Sequence, residues 1–167
     1  RTRRNGSQNM SPIPRISVLL PIRNAAGTLD EAIGSLVGQT FTDFEIIAVD
    51  DGSDDDTPRL LAEWVARDHR IRSDSTLPLG IVSALNTAAA AARGELLARM
   101  DADDVSVSTR LERQVALMDA QPDLVACGTR VRYVPRDLVR DGALRYERWV
   151  NSVVTPEDMQ RDLFVEC

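Results

Sequence analysis

Leu96-Leu97-Ala98-Arg99-Met100-Asp101-Ala102-Asp103-Asp104 is an apolar run with the shape of a buried strand, and it ends in three carboxylates within four residues. Asp101 and Asp103 flank the small Ala102, where a parallel strand would leave its sheet. Like charges at that spacing repel and raise each other's pKa unless a cation or a set of donors offsets them. Hard divalent cations favour such oxygen ligands, and Mg²⁺ is typically held by one or two carboxylates together with substrate phosphates. A solvated acidic turn that caps the next helix would use the same residue types. The rest of the chain decides between the two.

Working outward, Leu79 to Ala92 is Ala-rich with Ile81, Leu85, Ala88, Ala89 and Ala92 at helical spacing, and Gly94 stands where a helix C′ residue would. After the acidic triplet, Thr109 to Glu112 has capping-box spacing, with Leu111, Val115 and Met118 on one helical face. Towards the N-terminus the same alternation repeats. Ile16-Ser17-Val18-Leu19-Leu20 reads as a buried strand stopped by Pro21, and Pro21 to Gly27 as a loop. Thr28 to Glu31 again has capping-box spacing and opens a helix carrying Leu29, Ile33, Leu36 and Val37. Phe44 to Val49 is a second apolar strand, and it too ends in paired carboxylates, Asp50 and Asp51. Asp54 to Thr57 starts a helix with Pro58 in its first turn and Leu60, Leu61, Trp64 and Val65 as its buried stripe. A short strand is expected near Ile71, and further strands at Leu124–Cys127 and Arg130–Val134. Beyond Pro135 the pattern is irregular, with Tyr146 and Trp149 as anchors, until Thr155-Pro156-Glu157-Asp158 opens a last helix.

Strand and helix alternating at this spacing mean an α/β fold with a parallel, doubly wound sheet. Ligands of such sheets bind outside the carboxyl ends of the strands. Asp50, Asp51, Asp101 and Asp103 are therefore expected on one rim.

Composition excludes several classes. The 167 residues are 43% hydrophobic and 28% charged, as in a globular protein with a real core. A net charge of −6 argues against a nucleic-acid binder, which would show a basic face. It leaves room for a nucleotide, because a metal can bring phosphates to an acidic site. All 20 basic residues are Arg, so any chemistry that needs a Lys is excluded within this span. Cys127 and Cys167 have neither metal-ligand nor disulfide spacing, and Cys127 after Leu124-Val125-Ala126 reads as a small core residue. No apolar run approaches the roughly 18 residues that would span a bilayer. Residues 1–14 read as a flexible leader without the apolar centre of a signal peptide, so a cytoplasmic location is the default.

The ordered set of motifs resembles the family 2 glycosyltransferases with a GT-A-type fold. The match runs through Ile16-Ser17-Val18-Leu19-Leu20-Pro21 with Asn24, Ser35-Leu36, and Gln39-Thr40-Phe41. It continues through Glu45-Ile46-Ile47-Ala48-Val49-Asp50-Asp51-Gly52-Ser53 with Asp56-Thr57, then Gly80, Ala84-Leu85-Asn86 and Ala92-Arg93-Gly94-Glu95, and ends on Met100-Asp101-Ala102-Asp103-Asp104. Each piece alone is weak; in this order, over Ile16 to Val131, they are specific.

The resemblance implies a mostly parallel sheet flanked by helices that binds a nucleotide-diphosphate sugar, with UDP- or dTDP-sugars favoured. Pro21, Ile22, Arg23 and Asn24 would line the nucleoside pocket. Asp50 would accept a hydrogen bond from the imide of the base, with Asp51 beside it orienting the loop. Asn86 would donate to the donor site or cap the preceding loop. Asp101 and Asp103 would form the Asp-X-Asp motif, Asp101 towards ribose or metal and Asp103 on the metal, Mn²⁺ or Mg²⁺. Asp104 is better read as a helix cap than as support for the site. Arg23 and Arg99 near an acidic rim are read as ion-pair partners rather than phosphate ligands. His69 is read as solvated and Trp149 as an anchor rather than a sugar platform.

On the same resemblance, residues 15–135 form the donor domain and 136–167 begin an acceptor-side region. The general base of an inverting transfer is expected beyond Cys167, because Glu157, Asp158, Asp162 and Glu166 sit in a helical setting. The acceptor would be a saccharide or a lipid-linked one, in cell-envelope or extracellular polysaccharide assembly, at the cytoplasmic side or peripheral to the inner face of the membrane. Two rivals remain. Asp101-Ala102-Asp103-Asp104-Val105 also fits the haloacid-dehalogenase-like phosphotransferases, with Asp101 as nucleophile, although that motif follows a first strand. A non-catalytic nucleotide-sugar-binding module is the other. A receiver domain lacks its Lys here, a dinucleotide-binding fold its Gly-X-Gly-X-X-Gly turn, and a sugar nucleotidyltransferase its Gly-rich phosphate loop.

Overall fold

The computed structural model describes residues 13–162. Most of the expected leader, and Glu166 and Cys167, lie outside the described residues. Packing divides the chain into two compact units, Arg1–Leu117 and Met118–Cys167.

In the first unit the order is β1 (Ile16–Ile22), α1 (Leu29–Val37), β2 (Phe44–Asp50), α2 (Thr57–Arg67), β3 (Ile71–Ser75), α3 (Ile81–Ala91), β4 (Leu96–Arg99) and the start of α4 (Arg110–Ala120). The four strands form one parallel sheet in the order β3-β2-β1-β4. Every residue of β1 and β2 is buried, because these are the central strands and both their faces are covered. The period-2 alternation splits their side chains between two cores. Val18, Leu20, Ile22, Ile46 and Ala48 pack with Leu29, Ile33 and Leu36 of α1, Leu61 of α2, and Leu111 and Val115 of α4. Leu19, Ile47 and Val49 face the opposite way, onto Ala84 and Ala88 of α3.

Several expectations in this unit need correction. β1 is not stopped by Pro21 but runs through it to Ile22, paired with β2 to its end. The run at Leu96 is an edge strand, so its residues alternate between half-buried and exposed and Leu97 is 56% exposed. The helix over 81–91 buries Ala84 and Ala88, while Ile81 at its start is exposed. Gly94 is not a left-handed cap. A Cβ there would lie 2.5 Å from the Ser17 N, so the glycine is required by the close approach of the chain to β1. Its N–H donates to the Ser17 Oγ.

That approach closes a buried polar cluster at the amino end of the sheet. Ser17 Oγ donates to Glu45 at 2.8 Å, and Glu45 also accepts from the backbone N and the guanidinium of Arg93 and from Arg72. Burial pushes the Glu45 carboxyl up, but the hydrogen bonds from Arg93, Ser17 and Arg72 outweigh it and hold the pKa at about 2.

The second unit holds a 3₁₀ turn (Arg136–Leu138), α5 (Asp141–Val150) and α6 (Pro156–Asp162). The segments read as strands, Leu124–Cys127 and Arg130–Val134, are not strands; Val125 is 95% exposed and Cys127 half-buried rather than in a core. An apolar β-rich run becomes a strand only beside a partner. Here the polar backbone is met by side chains of α5 and its cap instead. Asn151 bridges both the N–H and the carbonyl of Val131, and Glu147 accepts from the Tyr133 N–H and from Arg136. The stretch expected to be irregular is thus largely helical. Half-buried Trp149 donates its indole N–H to Asp162, whereas Tyr146, its ring centroid 5.6 Å from that of Trp149, is exposed and is not the buried anchor expected. Thr155 and Asp158 cap α6 reciprocally, each accepting the other's N–H.

Candidate functional site

At the carboxyl ends of β1 and β2 the chain makes two adjoining loops, and side chains bind them together. Asn24, in the left-handed region at φ 50°, donates its N–H to Ser53 Oγ and accepts the N–H of Asp54 on its amide oxygen. The N–H groups of Ala25 and Ala26 donate to Thr57 Oγ1 and Asp55. Asp50 completes this seam by accepting both the N–H and the hydroxyl of Ser53.

Asp51 turns the other way. Its carboxylate accepts the N–H of Leu79 and of Gly80, both at 2.8 Å, and so holds the first turn of α3 beside the strand ends. Gly52 makes that possible: it sits at φ 68° with Pro78 so close that a Cβ would lie 2.8 Å from the proline ring. Arg23 reaches Asp51 at 3.7 Å from the mouth.

Across the sheet, β4 ends in Arg99, and the Asp101 to Asp104 segment turns, with the Asp104 N–H donating to the Asp101 carbonyl. Arg99 is paired in two-pronged fashion with Asp101, at 3.0 and 3.1 Å. Both arginines are thus ion-paired, as read from the sequence. Asp104 is no helix cap, since α4 begins only at Arg110. Partial desolvation and then the charges of Asp101 and Asp103 push its carboxyl above the usual range.

These pieces enclose a cavity of about 500 Å³. Of the residues picked from the sequence, Pro21, Ile22, Arg23, Asn24, Asp51, Asp101 and Asp103 line it together. Asp50 and Asn86 do not: the Asp50 carboxylate is taken up by Ser53, and Asn86 lies on an exposed face of α3. The lining also includes Thr28, Gly80, Ile81 and Ala84, which the sequence reading passed over. Gly80 and Ala84 stand among the motif residues, and that is the available signal; Ile81 needed the packing of α3.

Asp101 and Asp103 both line this cavity, with the Asp101 carboxylate paired to Arg99. Among the described residues no three His, Cys, Asp or Glu side chains gather into a complete cage for a metal. Two carboxylates on a rim suit a hard cation that takes its remaining ligands from phosphate and water, so the donor set fits Mg²⁺ or Mn²⁺. Among the described residues no helix is long and apolar enough to cross a membrane.

Comparison with known proteins supplies a frame for this geometry. Residues 17–164 match the family described as Glycosyl transferase family 2. The chain is 36% identical over 158 residues to the uncharacterized glycosyltransferase EpsJ of Bacillus subtilis, covering 90% of this chain and 43% of that protein. It is 36% identical over 121 residues to the O-antigen biosynthesis glycosyltransferase WbnJ of Escherichia coli, covering 71% of this chain and 47% of the relative. The chain thus spans less than half the length of these relatives. Among solved structures, S. aureus TarS in complex with UDP-GlcNAc is similar with a TM-score of 0.61 and 27% identity, over 65% of this chain and 32% of that one. The mannosyltransferase PcManGT of Pyrobaculum calidifontis, in complex with GDP-Man and Mn²⁺, gives 0.59 and 27%, over 65% and 33%.

Proposed function

The chain belongs to glycosyl transferase family 2, and on that premise we propose that its rim cavity is the donor site of a nucleotide-sugar-dependent glycosyltransferase. One observation carries the reading: Asp51, Asp101 and Asp103 come from two different strand ends and line one cavity of nucleotide size. That is where ligands bind in open parallel sheets.

In this reading the nucleoside lies between the Pro21–Asn24 loop and the start of α3. Asp51, which lines the cavity, takes the role expected of Asp50, accepting the imide N–H of a uracil or thymine. Asp50 acts from behind, through Ser53 and the loop seam. Asp101 and Asp103 would hold Mn²⁺ or Mg²⁺ when the donor binds, and Arg99 orients Asp101 through its ion pair. When bound, the cation offsets charge that develops on the departing nucleoside diphosphate. A preference for UDP or dTDP is supported by the carboxylate at the base end and by the likeness to a protein solved with UDP-GlcNAc. The likeness to a protein solved with GDP-Man makes GDP the necessary control.

The region from 136 to 167 is read as the beginning of an acceptor-side part, with a saccharide or lipid-linked acceptor and a general base further along a longer protein. Relatives named for O-antigen biosynthesis and as a diphosphoundecaprenol glucosyltransferase support an envelope-polysaccharide role.

The test is calorimetric titration with UDP and with GDP, with and without Mn²⁺, on the wild type and on Asp103→Ala. Metal-dependent UDP binding that the substitution abolishes is expected. A folded chain that binds neither nucleotide overturns the reading.

A further inference from the structure

The segment from Asp101 to Thr109 contains no helix or strand, yet it carries both carboxylates assigned to the metal in the proposed donor site. An irregular segment still has to pair its backbone polar groups. Here the partners come from one helix and its C-terminal extension, and they are evenly spread. At the N-terminus of α1, Thr28 does not form the expected capping box. Its hydroxyl donates instead to the Ala102 carbonyl at 2.8 Å, the residue between Asp101 and Asp103. Near the end of α1, Ser35 Oγ accepts the Ser106 N–H at 2.9 Å. Just past it, Gln39 is 4% exposed and uses both ends of its amide. Its Nε2 donates to the Val107 carbonyl at 2.8 Å and to the Ser35 carbonyl at 3.1 Å, and its Oε1 accepts the Leu111 N–H at 3.0 Å. Thr40 adds its N–H to the Ser108 carbonyl and its hydroxyl to Glu112.

We infer that α1 with Gln39 is a latch that sets the geometry of the Asp-X-Asp segment, and that Gln39 and Thr28 are positioning residues for metal-dependent binding of the diphosphate. The inference rests on the donor-site reading. Gln39 is the stronger case, because it lies outside the cavity lining and can reach the ligand only through the segment it holds. Metal ligands on a loop keep a productive geometry only when supporting groups lock them, to within about 0.5 Å. A buried amide that satisfies the Val107 carbonyl of that segment and the Leu111 N–H in the first turn of α4 fixes the segment within itself and at the helix that follows. The alternative is that Gln39 merely fills its own hydrogen-bonding needs in the core. That role would stabilise the fold without favouring one ligand over another.

The deciding variant is Gln39→Met, which keeps the side-chain length and removes every hydrogen bond. Three quantities are read: affinity for UDP with Mn²⁺ by calorimetry, affinity for uridine without metal by ligand-observed NMR, and amide exchange across 101–111. The latch predicts about a tenfold loss of Mn²⁺-dependent UDP affinity, the scale of one lost buried hydrogen-bond partner. It also predicts uridine affinity within about twofold, and faster exchange at Ser106 and Leu111 with β1 and β2 unaltered. Equal losses for uridine and UDP, or unchanged Mn²⁺-dependent UDP affinity in a folded variant, overturn it. Should Gln39→Met fail to fold, Thr28→Val and Thr28→Ser decide. The valine must weaken the Mn²⁺-dependent increment, the serine must restore it, and any other pattern overturns the inference. A wild type that binds UDP without any metal dependence refutes the assignment of Asp101 and Asp103 to a metal while leaving the nucleotide site, and the exchange data then judge the latch alone.

Discussion

Asp51 accepts the backbone N–H of Gly80 at 2.8 Å, so the residue after β2 holds the first turn of α3 against the cavity. The same carboxylate takes the N–H of Leu79. Asp51→Ala would leave both donors without their acceptor in a part-buried place. Expected is a loss of about 1–3 kcal/mol in urea unfolding, together with loss of nucleotide binding. Asp51→Asn keeps one acceptor oxygen and should fall between wild type and alanine in both measurements.

Asp50 behaves differently because it works through Ser53. Asp50→Asn preserves the acceptor that Ser53 needs, and UDP affinity should stay within about fivefold of the wild type, since neutral and charged acceptors differ by about 1 kcal/mol. A loss of a hundredfold or more would put Asp50, not Asp51, on the base.

Gly94→Ala tests the close approach of the α3–β4 connection to β1. The new Cβ would lie 2.5 Å from a backbone nitrogen that cannot swing away. Destabilisation of at least about 2 kcal/mol is expected in chemical denaturation, because overpacking against backbone forces the chain to shift. Gly27→Ala, where nothing lies within 4 Å of the added Cβ, serves as the control and should be close to neutral.

Glu45 makes stability depend on acid pH. Its folded-state pKa of about 2 lies below the ordinary 4.5, so the folded state favours the ionised form. The resulting stability is fully present above pH 4.5 and is lost as the pH falls through about 2. The shift corresponds to about 3 kcal/mol at most, and its two arginine partners are partly exposed, which reduces it. Glu45→Gln should flatten the stability profile between pH 4.5 and 2, measured by denaturation at each pH. A variant with the wild-type slope would place the acid sensitivity elsewhere.

The order of elements through α4 and the burial of the central strands were legible because apolar periodicity is a local signal. Ile16 to Ile22 and Phe44 to Asp50 are buried throughout, as continuous apolar runs in a parallel sheet should be. The same local signal misled at Leu124–Cys127 and Arg130–Val134. Their composition suits a strand, but whether a strand forms depends on a neighbour, and Asn151 and Glu147 meet the Arg130–Val134 backbone instead. It also misled at Thr28, where capping-box spacing is local but the hydroxyl's partner, Ala102, is 74 residues away.

By itself the sequence determined that this chain is an α/β protein with carboxylates after two strands on one rim, and the order of its motifs determined the family. Strand length, helix spacing and the step from apolar run to aspartate are all written in neighbouring residues. Only the tertiary structure decided which of these aspartates line the cavity. Asp50 and Asp51 are adjacent in sequence and chemically identical, yet one bonds Ser53 while the other bonds the start of α3 and lines the cavity. The direction of a side chain at a strand end is set by the donors that distant loops bring to it, and no local pattern encodes where those loops fold back.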